Sequence, residues 1–353
     1  MKRVYKIEKF CIVVLFLFPL LSIYACYPLS DTLDIAPKES FTIAVMSDTQ
    51  LYSEIIVNLK SENEKRLKND VFDSQTQWII DNIEEQNIVF VSHAGDVVDR
   101  NHESQWDVAI KYLNRLHGEI PYGISLGNHD MTLQGNTHLF QKYFPSSRFE
   151  LFDWYCGSFE NNTNSYQLIS SNGIDMIILH IECNAPDRVL DWANSVLEDY
   201  SNRLAIISTH MFLGPEELPV HDLDYFDKPK GIMKWHKTFG EEGNSPQQLW
   251  DKCFKKHENV KMILCGDQSR TNALYDKYIG EHGNIVHVML SDYGINNGGG
   301  LRLYRFSPSD NSLKVITYNT IKESVIMNTD IVPNSEEHYF TITGFFKNHL
   351  REI

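Results

Sequence analysis

Cysteine is scarce: six occur in 353 residues, and only Cys156, Cys183, Cys253 and Cys265 lie beyond position 26. That excludes a disulfide-dense scaffold, and without a C-x-x-C pair a thiolate zinc site has no footing. Long apolar runs are also lacking. The N-terminal candidate, Phe10 to Leu21, spans twelve residues and contains Pro19, short of the about 20 that a membrane-spanning helix needs. Cations are outnumbered, 32 Lys and Arg against 47 Asp and Glu, for a formal charge of −15. Residues 1–26 carry four cations and one anion, so the remainder is more acidic still. Such a body repels phosphate backbones, which argues against a general nucleic-acid binder and for no stable nucleic-acid partner. No internal repeat is evident.

What is present suits a packed, enzyme-sized body. Hydrophobic residues make up 42% of the chain, with 19 Phe and 17 Tyr, enough to fill one large or two modest cores. Met1-Lys2-Arg3 through Lys9 is basic and is followed by the short apolar run, the order of a secretory signal. The run ends at Tyr24-Ala25-Cys26, which resembles a bacterial lipoprotein processing site, with Tyr24 bulkier than that pattern prefers. A lipid tether on Cys26, plain secretion and an uncleaved anchor all stay open, each extracytoplasmic.

Downstream, apolar runs alternate with helical spacing. Strands are expected at Phe41–Met46, Ile88–Val91, Pro121–Leu126, Leu204–Ser208, Val260–Cys265 and Val286–Leu290. Helical patterns fall at Gln77–Ile83, from Trp106 to Leu116, at Val189–Tyr200 and at Gln247–His257. Ser165–Ile169 and Asp175–Leu179 flank Asn172-Gly173, a hairpin signal, and Leu301–Phe306 with Leu313–Tyr318 form a closing hairpin. This order predicts βαβ connectivity around a sheet core. Residues 213–246, rich in Pro, Gly and charge, read as a long surface excursion.

Chemistry-bearing residues recur at the strand ends. Asp48 and Gln50 follow the first strand, Asp96 the second, Asn128 and His129 the third, His210 and Asp267 later ones. Taken alone, Gly127-Asn128-His129-Asp130 reads equally as a polar turn. Five such ends side by side would bring carboxylates, amide oxygens and imidazoles to one rim, where open α/β sheets place their sites. Those donors suit Mn, Fe, Zn or Mg, and a carboxylate between two ions can bridge them.

The ordered set Asp48-x-Gln50, Gly95-Asp96-x-x-Asp99, Gly127-Asn128-His129-Asp130, Thr209-His210 and Gly266-Asp267 resembles the calcineurin-like metallophosphoesterase superfamily from about residue 41 to 306. The resemblance implies an α/β fold, a four-layer α/β/β/α sandwich of two mixed β-sheets flanked by helices, and a metal-dependent phosphoesterase. It implies a dinuclear site in which Asp48 and Gln50 bind the first ion, Asp96 bridges, and Asn128, His210 and Asp267 bind the second. His129 would protonate the leaving oxygen or stabilise the phosphoryl charge, with Asp130 orienting its ring. The chain then divides into a signal peptide or lipoprotein signal over 1–26, a linker over 27–40, the metallophosphoesterase domain over 41–320 and a C-terminal extension over 321–353.

Two positions depart from the pattern. Gln50 stands where the family usually has His, and Gly266-Asp267-Gln268-Ser269 replaces Gly-His-x-His. The first site is thereby stripped of imidazoles, which predicts a hard, oxygen-dominated centre for Mg, Mn or Ca, or a weak one. Arg270, Asp292 and Tyr293, with the Gly298-Gly299-Gly300 loop, are candidate substrate contacts. His93 and His180 read as satisfied structural histidines. The substrate would be a phosphorylated small molecule or a lipid, monoester or diester. The alternative is a ligand-binding or scaffold module on the same fold whose first site no longer supports turnover.

Overall fold

The computed structural model describes residues 32–51, 62–214, 238–268, 272–294 and 299–346. The signal at 1–26, most of the excursion, Ser269, Arg270 and Gly298 lie outside the described residues. Among the described residues no helix is long and apolar enough to cross a membrane.

Two seven-stranded mixed sheets form the body. In the first, β1 (Phe41–Met46), β2 (Ile88–His93) and β3 (Tyr122–Ile124) run parallel. The second contains β4 (Tyr155–Phe159), β5 (Asn164–Ser171), β6 (Ile174–His180), β7 (Leu204–Ser208), β8 (Val260–Cys265), β9 (Ala273–Ile279) and β10 (Ile285–Ser291). Its order is β4-β5-β6-β7-β8-β10-β9, with β6, β7, β8 and β10 parallel. The chain then returns to the first sheet with β11 (Gly300–Ser307), β12 (Ser312–Asn319), β13 (Ser324–Val325) and β14 (Phe340–Thr343). The segment from residue 321, read from sequence as an extension, thus adds two strands to this sheet.

The two-residue period of a strand sorts side chains to opposite faces. Phe41, Ile43 and Val45 join Met176, Ile178, Ile206, Met262 and Leu264 in the core between the sheets, where Phe41 stacks on Phe306 at 4.9 Å. Ala44 and Met46 face the other way, toward Phe72 and Ile79 of α1 (Glu62–Asp81) and Trp106, Ala109 and Leu113 of α2 (Glu103–Leu113). On the far side, Ile177, Leu179, Ile207 and Ile263 pack under α4 (Asp187–Asp199) and α5 (Pro246–Lys252), with α3 (His138–Tyr143) elsewhere in the chain. Both faces of each central strand are covered, so the strands read as unbroken apolar runs. The layering is the α/β/β/α sandwich expected from the sequence.

Local signals set several boundaries. Ser245 caps α5 in a reciprocal capping box with Gln248, and Pro246 opens the helix. The helix expected at 247–257 stops at Lys252 and continues as a short 3-10 turn, Phe254–Lys256. The pattern at 77–83 falls largely in the last turns of a longer, 20-residue helix, α1. β9 was not foreseen; its Asp276-Lys277 pair interrupts the apolar pattern, as suits an edge strand.

Candidate metal centre

Parallel neighbours in close register deliver their C-terminal ends to one edge. Met46 pairs with His93 and His93 with Ile124 in the first sheet; Ser208 pairs with Leu264 in the second. The residues after these strands include Asp48, Asp96 and Asn128 on one side, His210 and Asp267 on the other. Asp48, Asp96 and Asp267 all carry left-handed backbones, with φ of 53°, 52° and 65°. A non-glycine residue holds that conformation at a cost of about 1 kcal/mol or more, and such residues cluster at functional sites.

Asp48, Asp96 and His210 are buried, with ligand atoms within 4.8 Å of one another. His210 Nε2 lies 3.2 Å from Asp96 Oδ1, 3.7 Å from Asp267 Oδ1 and 3.9 Å from Asp48 Oδ1. Its Nδ1 sits 2.9 Å from the Ala94 carbonyl, which can only accept, so the neutral ring keeps its proton on Nδ1 and its lone pair on Nε2. That lone pair faces three carboxylates and makes no hydrogen bond. Burial opposes a proton on His210, yet Asp96 and Asp48 raise its affinity for one well above the ordinary range. Burial, then Asp292, raise Asp48 likewise. The cluster draws positive charge from either direction.

Two further acceptors lack donors. Gln50 Oε1 and Asn128 Oδ1 are buried without a hydrogen bond, while Gln50 Nε2 donates to Asp96 Oδ2 at 3.2 Å. A buried acceptor left so costs about 1–3 kcal/mol. Three orphaned acceptors around a carboxylate pair, all hard oxygens except one imidazole, fit a divalent cation. The backbone supports that pair: His129 N–H donates to Asp96 Oδ1 at 3.0 Å and Asp267 N–H to Asp48 Oδ1 at 3.2 Å, while Ser47 donates to Asp48. Gly127 is required beside them, because a Cβ there would fall on Asp96 Oδ1.

His129 stands at the edge of the cluster, with 40% of its side chain exposed and Nε2 3.9 Å from Asp96 Oδ2. Its ring is not oriented by Asp130. Asp130 is buried and accepts the amides of Val98 at 3.0 Å and Gly127 at 2.8 Å, clamping the loop instead. Asp99 holds the imidazole, its carbonyl 2.7 Å and its carboxylate 3.7 Å from Nδ1. The Gly-Asp-x-x-Asp spacing was the available signal for it.

Tyr293 turns inward. Its hydroxyl is buried, 2.6 Å from His338 Nδ1 and 3.2 Å from Thr317 Oγ1. Asp292 is also buried and joins the carboxylates, where burial pushes it up to about 7. His93 is satisfied by Thr49 Oγ1 at 2.9 Å and the Gly95 amide; His180 by Ser92 and Gln167.

The chain is similar to solved structures. Purple acid phosphatase from yellow lupin (Lupinus luteus) matches at a TM-score of 0.51 and 14% identity, over 86% of this chain and 54% of that one. The 5'-nucleotidase precursor of Thermus thermophilus matches at 0.41 and 14% identity, over 84% and 56%. Among curated proteins, the uncharacterized protein YvnB of Bacillus subtilis (strain 168) is 32% identical over 327 residues, which are 90% of this chain. The chain spans 22% of that relative's length. The calcineurin-like phosphoesterase profile matches residues 41–271, the stretch that carries all five strand-end motifs from Asp48 to Asp267, and the chain belongs to that family.

Proposed function

We propose that the protein is a metal-dependent phosphoric ester hydrolase that cleaves a phosphomonoester or phosphodiester at a centre for two divalent ions. The observation that carries this reading is the set of three orphaned acceptors, on Gln50, Asn128 and His210, around the Asp48 and Asp96 carboxylates. Asp48 and Gln50 would hold the first ion, Asn128, His210 and Asp267 the second, and Asp96 would serve both; Mn, Fe, Zn, Mg or Ca are the candidates. The ions supply Lewis-acid polarisation of the phosphoryl group and offset the charge that grows on its oxygens.

The protein's own proton chemistry centres on His129. Its Nδ1–H is committed to the Asp99 carbonyl, so Nε2 alone exchanges a proton with the departing oxygen. Burial opposes that proton, but Asp96, the Asp99 carbonyl and carboxylate, and Asp130 raise the pKa above the ordinary imidazole value. A ring whose hold on its proton is strengthened in this way is suited to act as general acid.

The substrate class is a phosphorylated small molecule or a lipid, and the place of action is extracytoplasmic. A basic start and the apolar run Phe10–Leu21 support a signal over 1–26, with a tether through Cys26 as one outcome, ahead of a domain over 41–320. One contact favours a second reading, a ligand-binding module without turnover: Gln50 offers its amide N–H, not its oxygen, to Asp96.

Hydrolysis of an aryl phosphate and a bis-aryl phosphodiester, with and without added Mn, separates the two. Metal-dependent turnover that collapses in His129→Ala supports the enzyme. No turnover of either ester at any metal concentration sinks it.

A further inference from the structure

Asp292 leaves β10 at the level where Asp267 leaves β8. The two strands are parallel neighbours, with Leu290 paired to Cys265, so the following residues emerge side by side at the rim. Asp292 is 2% exposed, and its Oδ1 accepts the Gly294 amide at 3.2 Å. Gly294 packs against Asp48: a Cβ on it would lie 2.5 Å from the Asp48 carbonyl, 3.4 Å from the Asp48 Cβ and 3.5 Å from Asp292 Oδ1. Asp292 therefore stands on the Asp48 side of the centre. Its backbone is pinned, donating to the Asn272 carbonyl at 2.7 Å and accepting from the Asn272 side chain at 3.0 Å.

Among the described residues no Lys or Arg forms an ion pair with Asp48, Asp96 or Asp292; the partners of the first two are histidines, His210 beside both and His129 beside Asp96. Buried carboxylates in that state take up protons or bind a metal. The Nε2 of His210 is fully buried, aimed at the same cluster and without a hydrogen bond, as suits a site that takes a divalent cation.

We propose that Asp292 is a ligand of the first cation subsite, supplying with Asp48 the oxygen donors that replace the imidazoles lost at Gln50 and in Gly266-Asp267-Gln268-Ser269. The inference rests on the metal-centre reading above. An oxygen-dominated subsite selects a hard divalent cation such as Mn or Mg over Zn.

The test is calorimetric titration of the metal-stripped full chain with manganese chloride and zinc chloride, with Mn electron paramagnetic resonance as a second readout. Wild type is expected to bind two Mn per chain and to show a coupled pair. Asp292→Asn, near-isosteric and still able to accept the Gly294 amide, is expected to keep one Mn at unchanged affinity and weaken the other by at least about tenfold. Its resonance signal then becomes that of an isolated ion. Asp292→Glu keeps the charge and is expected to retain both. Loss of both ions in Asp292→Asn, or of neither, overturns the assignment. If Asp292→Asn fails to fold, Asp292→Ser gives the same readout with less bulk. A wild type that takes up no Mn overturns the metal-centre reading itself, a different result from two unchanged sites in the variant.

Discussion

The backbone carbonyl of Asp99 lies 2.7 Å from Nδ1 of His129. A carbonyl only accepts, so this contact fixes the tautomer and leaves Nε2 to face the carboxylate edge. If Nε2 protonates a leaving oxygen, the benefit grows with the basicity of that oxygen. His129→Ala should lower kcat on phenyl phosphate by about 100-fold or more and on a dinitrophenyl ester far less, with Mn binding unchanged by calorimetry. Equal losses on both esters would contradict the role.

Because the holding group is main chain, Asp99→Ala preserves it. That variant should keep kcat within about tenfold of wild type. Asp130→Ala should act on stability instead, since it strands the amides of Val98 and Gly127 at roughly 1–3 kcal/mol each. Urea midpoints measured beside kcat distinguish the two.

Gly127→Ala inserts a Cβ where Asp96 Oδ1 stands. The Asp96 carboxylate must move, so Mn stoichiometry should fall while the far-ultraviolet dichroism stays that of wild type. Retention of both ions would show that the loop yields at no cost.

Asp48 is buried beside Asp96 and Asp292, and its carboxyl is raised well above its ordinary value, first by burial. In chelator, Asp48→Asn should raise stability by about 1–3 kcal/mol by removing a buried charge. With Mn at 100 times its dissociation constant, wild type should gain about 2.7 kcal/mol and the variant little. Thermal midpoints with and without Mn should therefore cross.

Acid should weaken the fold through buried histidines. Burial lowers His180 from 6.5 to about 3, and His287 and His338 to about 4. The unfolded chain binds these protons below pH 6.5 and the native chain does not, so this stability is complete above pH 6.5 and is lost as pH falls toward 3–4. Each group adds up to about 1.4 kcal/mol per pH unit in that window. His180→Gln should reduce the slope of unfolding free energy between pH 6 and 4 by about that amount.

The strand ends were legible because buried parallel strands are continuous apolar runs, and each of five was followed by a ligand-type residue. Phe41–Met46 and Val260–Cys265 match the expected bounds. Partners across a loop were not legible. Asp130 adjoins His129 in sequence, yet the turn sends its carboxylate back to Gly127, and Asp99 arrives from another loop. Tyr293, with Asp292 and the Gly298-Gly299-Gly300 loop, reads from sequence as a candidate substrate contact, whereas its hydroxyl goes inward to His338, a residue 45 positions on. β14 (Phe340–Thr343) lacked a strong signal because Thr341 and Thr343 are exposed on an outer strand.

The centre draws Asp48, Asp96 and Asn128 from one sheet, His210 and Asp267 from the other. Neither sheet alone offers a complete set of donors, so no tight cation site exists until the two have docked across the Phe41–Ile206 core. A cation held only by the finished sandwich lowers the free energy of the native state and leaves the folding transition state untouched. It should slow unfolding in proportion to its binding energy and leave the refolding rate unchanged. On the proposed metal-centre reading, a bound cation would act as a latch on the sheet interface, closing after folding and setting the lifetime of the folded chain.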